Sequence, residues 1–291
     1  MVGPQSKPCQ ERGIGTSSPF AELLSFMLQR RLEVGGAPVP MRHTHQKRRR
    51  WIRRTLALLL LSVLVYHSTV LIRVIRFRTV APRMTALMRQ RAEEARARGQ
   101  VPKRVHVWVP YERLSPHLVR AVLAGEDPRF FVHHGFDWEQ IQEAIKENLE
   151  EGEIVRGAST ITQQLAKNLF LSTSRNPVRK VHEAVITMEL EAILGKRRIL
   201  ELYLNVIEWG DGIYGAEAAA QHYFGVSAAH LTPEQAAFLA AIIPNPRETY
   251  NPAKYPARVE RRRRIIQRRM REVVIPARFR ATRTTKAPPL P

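Results

Sequence analysis

The sequence predicts a mostly α-helical body preceded by one membrane-spanning helix. Three observations carry that reading: a mainly apolar run from Thr55 to Ile72 that includes His67, recurrent helix-start signals from Ser115 onward, and apolar residues spaced three and four apart through most of the chain beyond Val109. The 291 residues suit one domain of about 150–200 residues with attachments. With 47 Lys and Arg against 26 Asp and Glu, the formal net charge is +21, which draws the chain to polyanions such as phosphates or an anionic bilayer surface. The single cysteine, Cys9, excludes an intramolecular disulfide framework and a Cys-based zinc site. Twenty Pro, 15 Gly and 44 % hydrophobic residues exclude collagen-like and wholly disordered chains.

In order along the chain, residues 1–54 form a basic N-terminal extension that is expected to be disordered, with the short apolar stretch Phe20 to Leu28 too brief to span a bilayer. The run 55–72 follows Lys47, Arg48, Arg49, Arg50, Arg53 and Arg54; as a helix it reaches roughly 27 Å, close to the hydrocarbon thickness of a bilayer. It is long for a cleaved signal, and Arg73, Arg76 and Arg78 stand where a small-residue cleavage site would be. The denser cations lie before the run, so the N-terminus is expected in the cytoplasm and the body outside it. Residues 73–109 read as a linker, its charges alternating in sign from Met84 to Gly99, with a short strand at Val105 to Val109.

The body, 110–252, opens at Ser115-Pro116, a capping side chain before a proline in the first helical turn. Asp137 with Gln140, Thr160 with Gln163 and Thr232 with Gln235 are capping-box pairs that start further helices. Apolar spacing adds helices at Val178 to Leu194, Lys196 to Glu208 and Tyr214 to Tyr223. Residues 253–291 are expected to form a basic helix carrying Arg261 to Arg264, Arg268, Arg269 and Arg271, then a disordered tail; phospholipid headgroups are its expected partner.

Four stretches bear chemistry. In the first, Glu126 and Asp127 end an apolar helix beside Phe130 and Phe131, where partial burial raises a carboxyl toward the range of a general base; the alternative is ordinary capping. His133 and His134 are neighbours that do not share a helix face, so they are not expected to hold a metal. The second stretch, Arg156 to Asn168, is a small-residue turn entering a helix, whose free N–H groups and dipole suit a phosphate or sugar oxygen, with Lys167 one turn beyond Gln163. The third places Arg179 and Lys180 four and three residues from Glu183, either a surface ion-pair ladder or a cationic wall for a diphosphate. The fourth, Ile199 to Gly210, has the spacing of a core helix.

In order and spacing these stretches resemble the monofunctional biosynthetic peptidoglycan glycosyltransferases, the family that also supplies the glycosyltransferase domain of bifunctional penicillin-binding proteins. The family's first motif is met by Glu126, Asp127, Phe130, His133 and Gly135, its second from Gly157 to Asn168, and its third by Arg179, Lys180 and Glu183, with Glu191 eight residues on. Ile199 to Asn205 and Gly212 to Phe224 meet the remaining two. The resemblance implies a lysozyme-like helical fold and polymerisation of lipid II into β-1,4-linked glycan strands with release of undecaprenyl diphosphate. By the same carry-over Glu126 is the general base for the acceptor 4-hydroxyl and Glu183 the second essential carboxylate. Lys167, Arg175, Arg179 and Lys180 meet the diphosphate charge, Ser159, Gln163, Gln164 and Asn168 line the cleft, and Asp127 supports Glu126. No cofactor is assigned, with a divalent cation, Mg or Mn, beside the diphosphate left open. Cell-wall synthesis or division proteins are compatible partners, and nucleic acid is not expected.

Residues 1–40 fall outside the family pattern, leaving the start open between Met1 and Met41, and no Ser-x-x-Lys motif follows the body, so crosslinking is not expected. Two other readings compete. A lytic transglycosylase or lysozyme-like enzyme would use Glu126 but has no need of the cation set. A basic membrane-tethered scaffold would need no paired carboxylates.

Overall fold

The computed structural model describes residues 23–29, 42–152, 157–174 and 176–280. The chain divides into two units, residues 1–62 and 63–291. In the first, residues 23–29 are helical with exposed side chains, and the chain is helical again from Arg42, so the expected disordered extension stops short of residue 54. The rest of the expected extension, and the expected tail beyond residue 280, lie outside the described residues.

Helix α1 (Arg42–Arg76) contains the stretch Arg48–Arg76, long and apolar enough to cross a membrane. Leu56, Leu58, Leu59, Leu60 and Leu61 are all more than half exposed. A helix that shows leucine on every side is stable in lipid rather than in water.

The second unit continues with α2 (Ala86–Ala97), β1 (Val105–His106), α3 (Pro116–Glu126), α4 (Trp138–Glu151), α5 (Ile161–Phe170), α6 (Pro177–Ile193) and α7 (Lys196–Val206). Then come β2 (Glu208–Gly210), β3 (Ile213–Tyr214), α8 (Ala216–Phe224), α9 (Pro233–Ile242) and α10 (Pro256–Arg269). The helix starts are where the capping side chains put them. Ser115, Asp137 and Asn176 each accept a first-turn N–H, and Thr160 with Gln163 and Thr232 with Gln235 form complete capping boxes.

Helix α9, lined with alanine, packs against α3 and α10, while α5 packs against α2, α6 and α7. Trp209, Tyr203, Tyr214 and Phe130 are fully buried between these groups. The helix expected to run to Glu208 ends at Val206. Glu208 instead begins a small three-stranded sheet in which β3 pairs antiparallel with β2 and parallel with β1.

The segment expected as a linker is part of the body. Phe77, Leu87, Met88 and Val109 are buried, and Asn205, itself fully buried, takes both backbone groups of Val109 through its side-chain amide at 2.8 Å. The end of α1 is likewise engaged. Val70 and Val74 are buried, and His67 Nδ1 lies 3.2 Å from the Glu189 carboxylate while Nε2 lies 3.1 Å from His182 Nδ1.

Candidate active site

Glu126 is the last residue of α3, and its side chain is only 7 % exposed. Each carboxylate oxygen accepts one bond: Oε1 from Arg262 Nη2 at 2.8 Å and Oε2 from Gln164 Nε2 at 2.9 Å. Tyr203 donates its hydroxyl to Gln164 Oε1 at 2.9 Å, which turns the amide so that its N–H faces Glu126. Burial raises the Glu126 carboxyl above the usual range, and the nearby charges of Arg262 and Lys167 together with the Gln164 hydrogen bond offset part of that rise. Such a carboxylate is desolvated, basic and held, which are the properties of a general base.

Asp127 serves its neighbour indirectly. Gly135 N–H donates to His133 Nδ1 at 3.2 Å, so Nε2 carries the ring proton and donates to the Asp127 carboxylate at 3.0 Å. The same carboxylate accepts the N–H of Ile161 at 3.0 Å, satisfying the first turn of α5 and placing a negative charge at the positive end of that helix. Asp127 therefore fixes α5, and through it Gln164, against the end of α3. Asp127, His133 and Asp137 form the one cluster of metal-ligand residue types among the described residues. Asp137 caps α4 by accepting from Gln140 N–H and faces Arg129 at 3.5 Å, so the cluster's atoms are committed to structural bonds and do not fit a metal.

The second carboxylate, Glu183, is 3 % exposed on α6. Arg179 Nη1 reaches it at 2.6 Å, and the Lys180 ammonium pairs with its other oxygen. This is not the loose surface ladder that the i,i+3 and i,i+4 spacing alone allows. Lys167 on α5 feels both Glu126 and Glu183, and burial together with the cations Arg179 and Lys180 lowers its ammonium below the usual lysine range, against the pull of the two carboxylates. Cations and buried carboxylates thus alternate from α3 through α5 to α6.

A cleft of about 520 Å³ opens beside this centre, lined by Gln164, Lys167 and Asn168 from α5, with Arg91, Glu208 and Arg247 opposite. Two of the expected cleft residues are placed differently. Gln163 is buried, its carbonyl spent on the Thr160 N–H in the capping box, and Ser159 is exposed outside the cleft lining. Arg175 lies outside the described residues. Glu191 ties helices together, accepting from Thr162 at 2.6 Å and from Lys196 at 2.8 Å. Arg262 was missed by sequence reasoning, hidden in an arginine run; Tyr203 and Glu208 were assigned to a core helix. Glu208 is 7 % exposed, faces Arg91 at 3.1 Å, and its carboxyl is raised by burial against the pull of Arg91 and Arg247.

Residues 93–271 match the family model described as Transglycosylase. Curated relatives named biosynthetic peptidoglycan transglycosylase include one from Nitrosomonas eutropha, 49 % identical over 226 residues, which cover 78 % of this chain and 92 % of the relative. Another, from Laribacter hongkongensis, is 50 % identical over 228 residues, 78 % of this chain and 99 % of the relative. A third, from Chromobacterium violaceum, is 48 % identical over 223 residues, 77 % and 97 %. With Gln164, Lys167 and Asn168 of its second motif lining the cleft, the chain belongs to the transglycosylase family and is a peptidoglycan glycosyltransferase.

Proposed function

We propose that the chain polymerises lipid II into β-1,4-linked glycan strands at the outer face of the cytoplasmic membrane, with Glu126 as the general base. The observation that carries this reading is the Glu126 carboxylate, buried between Arg262 and Gln164, with Lys167 feeling both its charge and that of Glu183. Glu126 takes the proton of the acceptor 4-hydroxyl as that oxygen attacks the anomeric carbon of the donor strand. Undecaprenyl diphosphate leaves, and attack opposite the leaving group inverts the α-linked donor to a β-linked product. Lys167, Arg179 and Lys180 meet the charge that grows on the diphosphate, with Arg175 added from the sequence motif. Glu183 keeps Arg179 and Lys180 in place. A divalent cation, Mg or Mn, at the diphosphate would share that work.

Support for a lipid-linked substrate comes from the apolar helix Arg48–Arg76 and from Trp138, Ile145 and Leu149, which leave one face of α4 exposed. The denser cations before the apolar run favour a cytoplasmic N-terminus. The lytic alternative explains Glu126 alone; the cations held around Glu183 serve a diphosphate that glycan cleavage lacks.

The test is gel-resolved turnover of labelled lipid II by the purified chain beside Glu126→Gln and Glu183→Gln. A ladder of glycan strands from the wild type, with both folded variants silent, is the expected result. Untouched lipid II together with shortening of preformed glycan would instead establish the lytic reading.

A further inference from the structure

Helix α10 carries a run of arginines, and their side chains go to different places. Arg263 and Arg264 pair with Glu260 on their own helix, and Arg258 lies over the Tyr255 ring. Arg262 alone of this run turns inward. It shares a helix face with Val259 and Ile266, both 2 % exposed, so the packing of α10 on α3 fixes where it points. The approach is close because residue 125 is glycine: a Cβ there would sit 3.0 Å from Ile266 Cδ1. Arg262 Nη2 then donates to the Gly125 carbonyl at 3.0 Å and to Glu126 Oε1 at 2.8 Å, and its guanidinium stacks 5.5 Å from the centre of the Tyr250 ring.

We propose that Arg262 is the positioning residue of the general base: among the described residues it is the one cation bonded to Glu126, and it keeps that carboxylate ionised and aimed. This rests on the reading of Glu126 given above. The charged and titratable groups facing Glu126 are Arg262 from α10, Lys167 from α5, Tyr203 from α7 and its chain neighbour Asp127. Gln164 supplies a neutral donor to Oε2, and Lys167 acts without a hydrogen bond to the carboxylate. Removing Arg262 takes away the contacting charge while the burial that favours the neutral acid stays. Each carboxylate oxygen keeps a lone pair beyond the bond it now accepts, so Glu126 can receive a proton without Arg262 moving.

The experiment follows turnover of labelled lipid II against pH for the full chain in detergent, as wild type, Arg262→Gln, Arg262→Lys and the exposed control Lys103→Gln. For Arg262→Gln the acid limb of kcat moves up by about 1–3 pH units, as expected on loss of a contacting opposite charge, so activity lost at neutral pH returns in part at higher pH. KM changes by less than about twofold, Arg262→Lys restores most of the limb, and Lys103→Gln matches wild type. A second readout does not depend on turnover: the infrared carboxyl band of Glu126, isolated by subtracting Glu126→Gln, titrates at higher pH in Arg262→Gln. Unmoved acid limb and unmoved band, or a loss of rate equal at every pH, overturn the proposal. A moved band in an enzyme whose wild type makes no glycan refutes the general-base reading alone. Should Arg262→Gln not fold, Arg262→Lys decides: a titration like wild type with kcat lowered by lost aim supports the proposal, and unchanged kcat overturns it.

Discussion

Replacing Asp127 tests whether the second residue of the Glu-Asp pair acts in chemistry or in architecture. The carboxylate is 1 % exposed and accepts two protein donors, Ile161 N–H at 3.0 Å and His133 Nε2–H at 3.0 Å. Asp127→Ala orphans both. At roughly 1–3 kcal/mol for each buried donor left unpaired, the loss is about 4 kcal/mol. Asp127→Asn can put its one acceptor oxygen at the Oδ2 position, which both donors reach, but its NH₂ then points at the His133 Nε2–H from the Oδ1 position, so the loss is smaller, about 2 kcal/mol. For a body of this size each kcal/mol lowers Tm by roughly 2–4 °C, which places the alanine variant about 8–16 °C below wild type and the asparagine variant about half as far. The assay is thermal unfolding of the detergent-solubilised chain by circular dichroism, with lipid II turnover measured well below both transitions. Activity falls because α5, which carries Gln164 and Lys167, loses its anchor at the end of α3. Two variants within about 1 kcal/mol of wild type but inactive would refute this reasoning and place Asp127 in the chemistry.

The remaining predictions concern the base and the frame that holds it. Burial raises the folded-state carboxyl of Glu126, so its stabilising contribution is present below the unfolded carboxylate range and is lost as pH rises through the folded value. Glu126→Gln is therefore expected to melt higher than wild type at pH 8 and to lose that advantage near pH 4, while being inactive; a variant that melts lower at pH 8 would contradict the sign. Gly215 has φ +82° and a Cβ there would stand 2.7 Å from the Asn205 carbonyl, so Gly215→Ala is expected to cost about 3 kcal/mol from strain and overlap together, read as a lower Tm. Asn205→Leu leaves both backbone groups of Val109 unpaired; faster hydrogen exchange at residues 105–109, ahead of global unfolding, is the expected signature.

Helix starts were legible because capping is local: Thr160 and Gln163 satisfy each other's backbone within one turn, whatever lies across the core. The end of α7 was not. Apolar spacing continues through Ile207, and it competes with the Asp211-Gly212 turn that brings β3 back along β2, pairing Glu208 with Tyr214. The segment before β1 misled for a related reason. Its alternating charges describe the outer face of α2, but Leu87 and Met88 bury its inner face against partners far along the chain.

The same distinction between local and distant signals separates the parts of the site. Arg179, Lys180 and Glu183 lie within one helical turn of each other, so their grouping is written in their spacing, and only its burial had to be learned from the fold. Glu126 and Arg262 are 136 residues apart. In an arginine-rich helix, charge carries no information about which side chain is used; the information lies in Val259 and Ile266, whose spacing marks the inward face, and in Gly125, which admits it. A buried base needs a counter-charge, and it must come from a second element if the first is to present the carboxylate at its end. Helix α10 is placed to supply that charge. The arginines beside Arg262 can then change without touching the base, whereas a side chain at residue 125 would crowd Ile266, the residue that seats α10 beside Glu126.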